Sequence, residues 1–483
     1  MSVVSAFPVP ARTAPSPAVA VPGNSRASDY QEPPAVWLWG FAAYIVVWFL
    51  ELNQRVAFFG AIRLEFTLGA VLSAGAIATL AARSDSNRSR LMKYICAYFI
   101  FLACHLAISQ YFSHSWDAFV DWILKFSCMA LFTYAFVTSP RSLRVFMGML
   151  FLVFLKIGYE AFQGQITGSM VWENQGIMRL HGAQGTRFGH PNSLSGYGVS
   201  MLPFIYYLFP VVRWRSRLVI LVALVFAATI IIFTGSRTGY LTVLALVLFL
   251  WLRSTVKGRF FVILALIAVV GLPMIPPQYE ARFMSAFVGE EAEGHSKEER
   301  IELMNDALGL LERNPQGLGI YAFRFARAQQ LHKTSMDPHN MYLQTLVDLG
   351  YPGALIFGLF LVALWRELRA TTAHLRGAER RLRQEVQRQA KPDAALLTHL
   401  TDVRFMNAAG SAFLAYLFTR LMLAVFGHDL YEIYWWLTAG ASIAIANLVP
   451  RVDARTERLL TPAAPPAAAP PQVIVPHAAW RRP

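Results

Sequence analysis

Asp337-Pro338-His339-Asn340-Met341, followed by Gly350 and Gly353, marks the point where a polar segment runs into the apolar stretch 341–365. A stretch of that length and character crosses about 30 Å of hydrocarbon as a helix. The histidine therefore falls at the boundary between water and bilayer, where lipid-borne polar substrates react. Its near-neutral pKa suits proton transfer.

Working outward, the whole chain has the same character. Its 483 residues are 55% hydrophobic and 15% charged, and the mean hydropathy is +0.42. Soluble domains of this length do not approach such values. Apolar windows occur at 36–50, 66–82, 94–110, 118–137, 143–160, 191–212, 217–233, 238–252, 260–276, 341–365, 405–424 and 431–449. The expected fold is an all-α polytopic membrane protein with about twelve transmembrane helices and a long, partly helical outer loop before the tenth span.

The formal charge of +14 does not mark a nucleic-acid groove, because the basic residues follow alternate loops. Arg83, Arg88, Arg90 and Lys93 come after the second span, Arg141 and Arg144 after the fourth, Arg213, Arg215 and Arg217 after the sixth. Arg253, Lys257 and Arg259 come after the eighth, and residues 366–404 form a basic connector after the tenth. The positive-inside rule makes these loops cytoplasmic, and both termini with them. Cys96, Cys104 and Cys128 fall inside spans and read as packing residues. The first span is the expected targeting element, since no cleavable signal peptide is evident.

Residues 1–35 and 450–483 are rich in Pro and Ala and read as disordered cytoplasmic tails flanking a transmembrane domain, 36–449. Two outer loops are long, about 162–190 and 276–340. In the second, Ile301, Met304, Leu308 and Leu311 recur at helical spacing, which predicts an amphipathic helix ended by Asn314-Pro315-Gln316-Gly317. A short helix is expected over Ala322 to Leu331. The connector from Glu367 to Gln389 reads as a solvated helix near anionic head groups.

Asp337 can cap the tenth span, with Pro338 at its first position and His339 in its first turn. The positive end of the helix dipole keeps such an imidazole neutral, and the free N–H groups attract phosphate oxygens. A histidine there also serves as an interfacial anchor. Arg237 is the one basic residue of the short outer turn Thr234-Gly235-Ser236-Arg237-Thr238-Gly239, which fits either an anionic partner or a snorkelling role. Arg187, in Gly185-Thr186-Arg187-Phe188-Gly189-His190-Pro191-Asn192, enters the sixth span from the same side. Arg300 starts the outer amphipathic helix, whereas Arg282 reads as a solvated loop charge. A guanidinium cluster matches a diphosphate in shape and charge. Glu51, Glu65 and Asp117 are scattered and read as partners for Arg55 or Arg63, or as helix caps. With no HExxH, paired-Cys or Asp-x-Asp pattern, no metal site is expected.

His339-Asn340 with Gly350 and Gly353 resembles the signature of bacterial O-antigen ligases. So do Gly189 to Asn192, the Ser236-Arg237-Thr238-Gly239 turn, and Arg300 followed by Asn314-Pro315-Gln316-Gly317-Leu318-Gly319. The resemblance is clearest from about Gly185 to Gly353. It implies a metal-independent, cofactor-free inverting glycosyltransferase of the Gram-negative inner membrane, working at the periplasmic face. The implied donor is a glycan on undecaprenyl diphosphate and the implied acceptor is lipid A-core. His339 matches the general base, Arg237 and Arg300 match arginines acting on the donor diphosphate, and Arg187 is a weaker match. Asn340, Asp337, His190 and Asn192 support these residues. A polysaccharide polymerase and a protein O-oligosaccharyltransferase share this layout. A twelve-span transporter is the rival of a different class. It needs charges near the midplane, for which Asp121, Lys125, Lys156 and Glu160 are the candidates.

Overall fold

The computed structural model describes residues 30, 32–83, 89–174, 176–254, 256–258, 261, 276–288, 296–427 and 429–461. The chain begins with α1 (Ala35–Phe49), α2 (Leu52–Arg55), α3 (Ala57–Ala61), α4 (Leu64–Ala81) and α5 (Leu91–Leu106). Next, α6 (Phe112–Ala118) runs through a π-helical stretch, Phe119–Leu124, into α7 (Lys125–Phe136), and α8 (Pro140–Thr167) follows. A hairpin of β1 (Val171–Asn174) and β2 (Ile177–Leu180) leads to α9 (Pro191–Leu208), α10 (Trp214–Phe233) and α11 (Arg237–Arg253). Beyond these lie α12 (Pro277–Val288), α13 (Ser296–Arg313), α14 (Phe323–Gln330), α15 (Met341–Arg388), α16 (Ala394–Leu423) and α17 (Tyr434–Leu460).

Among the described residues the protein is mostly helical, and six helical segments are long and apolar enough to cross a membrane: α4, the α6–α7 run, α8, α10, α15 and the segment ending in α17. The helices α1 and α5 are apolar but shorter. The expected ninth span, 260–276, lies almost wholly outside the described residues, as do most of the two expected tails. The C-terminal tail begins later than its composition predicts, because α17 continues to Leu460. Its last turns are held by neighbours, with His374 and Arg381 of α15 paired to Asp453 and Glu457.

At the centre is α16, packed against α9, α11, α15 and α17. Its run Ala408-Ala409-Gly410-Ser411-Ala412 is buried throughout. Without long side chains, neighbouring helices approach closely, which is how helices associate where lipid removes the usual hydrophobic drive.

The entry to the tenth span departs most from expectation. Gly350 adopts φ 68°, ψ −176°, dividing α15 into a nine-residue outer piece and a long rod. Pro352 removes the N–H that Asp348 O would otherwise accept, so two carbonyls above the break need other donors. The loop after α13 supplies them: Leu318 N donates to Val347 O at 3.1 Å and Gly319 N to Asp348 O at 2.9 Å. In return Tyr351 N donates to Pro315 O at 3.0 Å. This insertion requires glycine at 317, where φ is +95° and a Cβ would stand 2.5 Å from Asp348 O.

Two further expectations are corrected. On α13 the buried side chains are Leu303, Ala307, Leu310 and Leu311, while Ile301, Met304 and Leu308 are exposed. Both sets have helical spacing, and packing against α14 and α15 through Phe323, Leu343 and Val347 selects the first. The basic connector is no solvated helix. It is the inner length of α15, with Leu368, Leu375, Ala378 and Leu382 buried against neighbouring helices and its charges partly paired across them.

Candidate active site

Three helices begin at the end of the bundle where the hairpin and α13 lie. His190 caps α9, its Nδ1 accepting from Asn192 N at 3.2 Å, with Pro191 at the first helical position. Ser236 caps α11, its Oγ accepting from Gly239 N at 3.3 Å, so Arg237 is the first residue of that helix. Asn340 caps α15, its Oδ1 accepting from Leu343 N at 3.0 Å.

That last bond corrects the expected cap. Asp337 is not the N-cap and His339 is not in the first turn. His339 stands just before the cap, half-buried, with φ 48°. Left-handed backbone costs a non-glycine residue about 1–2 kcal/mol, so the surroundings must hold it. On one side Asp337 Oδ2 accepts from Tyr321 OH at 3.2 Å, with Arg324 at 3.9 Å. On the other Met341 N donates to Ala424 O, just past α16, at 2.9 Å. Burial, then the nearby Asp337 carboxylate, pushes the Tyr321 hydroxyl up to about 12, so it stays protonated as the donor.

Around Arg237 the structure assembles groups that sequence reasoning missed. Arg179 of β2 is 1% exposed, and Arg282 of α12 is 7% exposed, correcting its reading as a solvated charge. Arg179 Nε donates to Thr234 O at 2.7 Å, Nη1 to Asn174 Oδ1 at 2.9 Å and Nη2 to Asn192 Oδ1 at 2.7 Å. Arg282 Nε reaches Gly235 O at 3.5 Å, and Tyr279 OH donates to Met178 O at 2.8 Å. The hairpin, α12 and the α10–α11 turn are thus tied into one unit. Burial lowers the Arg179 pKa to about 10, helped by repulsion from Arg282 and Arg237. Charge held against that penalty is the electrostatic character of an anion site. The signal in sequence was an arginine between apolar residues of the short strand Ile177-Met178-Arg179-Leu180.

The histidine and arginine regions are linked through α16. Gly196, one turn below Asn192, faces Leu423 and Arg420 of α16, whose end also receives the Met341 bond. Arg420 itself is buried, stacked on Tyr434 at 3.4 Å and paired with Asp429. Asp348 is a buried anchor: its Oδ1 accepts from Ala322 N and Phe323 N at the start of α14, and its Oδ2 from Tyr431 OH.

Arg187 sits elsewhere in this end of the bundle. It pairs with Glu51 at 3.1 Å and Glu432 at 3.5 Å, and stacks over Trp48 and Phe126. Burial pushes the Glu51 carboxyl up, and Arg187 partly opposes this. Arg300 is half-buried near the start of α13, a separate element. Among the described residues, no group of three or more His, Cys, Asp or Glu side chains could hold a metal ion.

Six apolar helical segments among the described residues suggest a multi-pass membrane protein, with Arg237 and His339 at the starts of two separate helices. Residues 222–358 match the protein-family model for O-antigen ligase, so this segment is similar to the O-antigen ligase superfamily. The matched segment contains Arg237, Arg282, Arg300, His339, Asn340 and the Gly350 break. It indicates a glycosyltransferase-like enzyme of the ligase/polymerase class. A search of curated proteins finds no match to the chain.

Proposed function

We propose that the protein is an O-antigen ligase of the Gram-negative inner membrane. It transfers a glycan from undecaprenyl diphosphate to lipid A-core at the periplasmic face, without a metal or other cofactor. His339 accepts the proton of the acceptor sugar hydroxyl, the freed oxygen attacks the anomeric carbon, and the bond from that carbon to the diphosphate oxygen breaks with inversion. Arg237, with Arg282 and Arg300, stabilises charge growing on the leaving diphosphate. Arg179 acts by fixing the Arg237 turn and Asn192, while Arg187 would have to release Glu432 to reach the donor. Asp337, Asn340 and His190 hold the backbone that presents these groups.

The observation that carries this reading is the clamping of the turn before Arg237 by Arg179 and Arg282, in a chain whose family segment also contains His339. The experiment incubates purified protein with undecaprenyl-diphosphate glycan and, separately, lipid A-core, a surface protein or a second lipid-linked glycan. Sugar gained by lipid A-core alone supports the ligase; gain by a second glycan or by protein assigns the polymerase or protein-transferase alternative. Turnover should persist in EDTA. Loss in EDTA that Mg²⁺ or Mn²⁺ restores would overturn the metal-free mechanism.

A further inference from the structure

At the opposite end of the bundle, α8, α10 and α16 enclose a cavity of about 900 Å³. Its walls are apolar along most of their length, formed by residues such as Met147, Phe151 and Leu155 of α8, Ile220 of α10 and Phe405 of α16. Leu152 and Val219, also in the lining, are 50% and 44% exposed, so the cavity opens sideways toward the hydrocarbon. Polar groups gather at one end only: Arg144, Arg213, Ser216, Thr401 and Asp402.

The dimensions and the charge select an occupant. From Arg144 to Leu155 the α8 wall rises about 16 Å, roughly half the hydrocarbon thickness and so the depth of a single leaflet. Arg144 pairs with Asp402 at 2.6 Å, which uses only part of its fork of five N–H donors. Arg213 is exposed at the rim beside Arg215 and Arg217, leaving the mouth net positive. An amphiphile with an anionic head and hydrocarbon tails complements both ends.

We infer that this cavity is a binding site for an anionic glycerophospholipid, its phosphate between Arg144 and Arg213 and an acyl chain along Met147, Phe151 and Leu155. The site is separate from the helix ends that carry His339 and Arg237, and stands whether or not the transferase reading holds.

Gly148 provides a test that spares the fold, because a Cβ there meets nothing within 4 Å. The purified full chain in detergent would be titrated with phosphatidylglycerol or phosphatidylcholine, and retained lipid counted by native mass spectrometry. Wild type should retain phosphatidylglycerol in preference to phosphatidylcholine. Arg213→Gln should weaken phosphatidylglycerol retention about fivefold, the loss of one arginine beside a lipid phosphate. Gly148→Trp, which fills the cavity, should abolish retention of both lipids. Equal retention of the two lipids by wild type, or retention unchanged in both variants, would overturn the site. Should Gly148→Trp fail to run as a monodisperse peak, Arg213→Gln decides alone, since Arg213 makes no side-chain capping bond to α10.

Discussion

The starts of α11 and α15 are built from similar residues and present their functional side chains in opposite ways. Arg237 is already inside its helix, behind a serine cap, and its turn is clamped by Arg179 and Arg282. His339 lies outside its helix, ahead of an asparagine cap, on left-handed backbone. A charge that meets a diphosphate benefits from a rigid turn and the positive helix end. A group that exchanges protons gains from standing clear of the helix, where its ring is not confined to the N-terminal turn. On the proposed reading, the two regions would divide binding from proton transfer.

The largest break in that comparison comes from removing the proposed proton acceptor. We predict that His339→Ala lowers the transfer rate by at least about a hundredfold while the protein inserts and folds. Turnover at the wild-type rate would remove His339 from the chemistry.

Next is the rigid side. Arg237→Ala should cost about 3–4 kcal/mol of transition-state stabilisation. Arg237→Lys should recover little of this, because an ammonium lacks the planar fork. Initial rates at matched protein levels measure both, and near-wild-type rates for the pair would leave Arg237 as a lipid anchor.

A smaller effect separates strain from chemistry. His339→Gly should be about 1 kcal/mol more stable than His339→Ala, since glycine tolerates φ 48°, with neither variant expected to transfer sugar. Asn340→Ala should lose about 1 kcal/mol with its cap. Thermal unfolding in detergent ranks the three; equal midpoints for Gly and Ala at 339 would mean the left-handed geometry stores no strain.

The smallest expected effect is on pH dependence. Burial pushes Asp306 up, but its bonds from Lys333 and Arg327 outweigh this and leave its pKa below the ordinary value of 3.8. Such a group stabilises the fold above the unfolded pKa, and this contribution disappears as pH falls through the folded value. The α13–α14 region should therefore loosen below about pH 4, with exchange of its amides rising there in wild type and already raised at neutral pH in Asp306→Asn. Matching profiles for the two proteins would contradict the linkage.

Six of the twelve apolar windows were legible as spans, because hydrocarbon thickness imposes a length on each of them. The short turn at Arg237 and the outer helices around 301–313 and 323–330 were legible from spacing and turn chemistry, whereas the Ser236 cap was not. The α15 cap was not, because Asp337 and Asn340 both suit the role. Only the tertiary bonds to Tyr321 and Ala424 decide between them. The packing of Arg179 and Arg282 escaped for a related reason: both are buried by elements that meet from distant parts of the chain. Likewise, the charges of the inner α15 length find partners on α17 that no local pattern reveals.

The loop threaded into the Gly350 break makes the outer assembly and the membrane domain a single inheritance. Exchanging residues 296–340 for a foreign loop would strip Val347 O of its loop donor and Asp348 O of one of two, since His105 Nε2 also lies 3.0 Å from Asp348 O, and a buried carbonyl left without a partner costs about 1–3 kcal/mol. Side-chain substitution on this backbone should therefore be tolerated better than exchange of the whole region for a foreign loop.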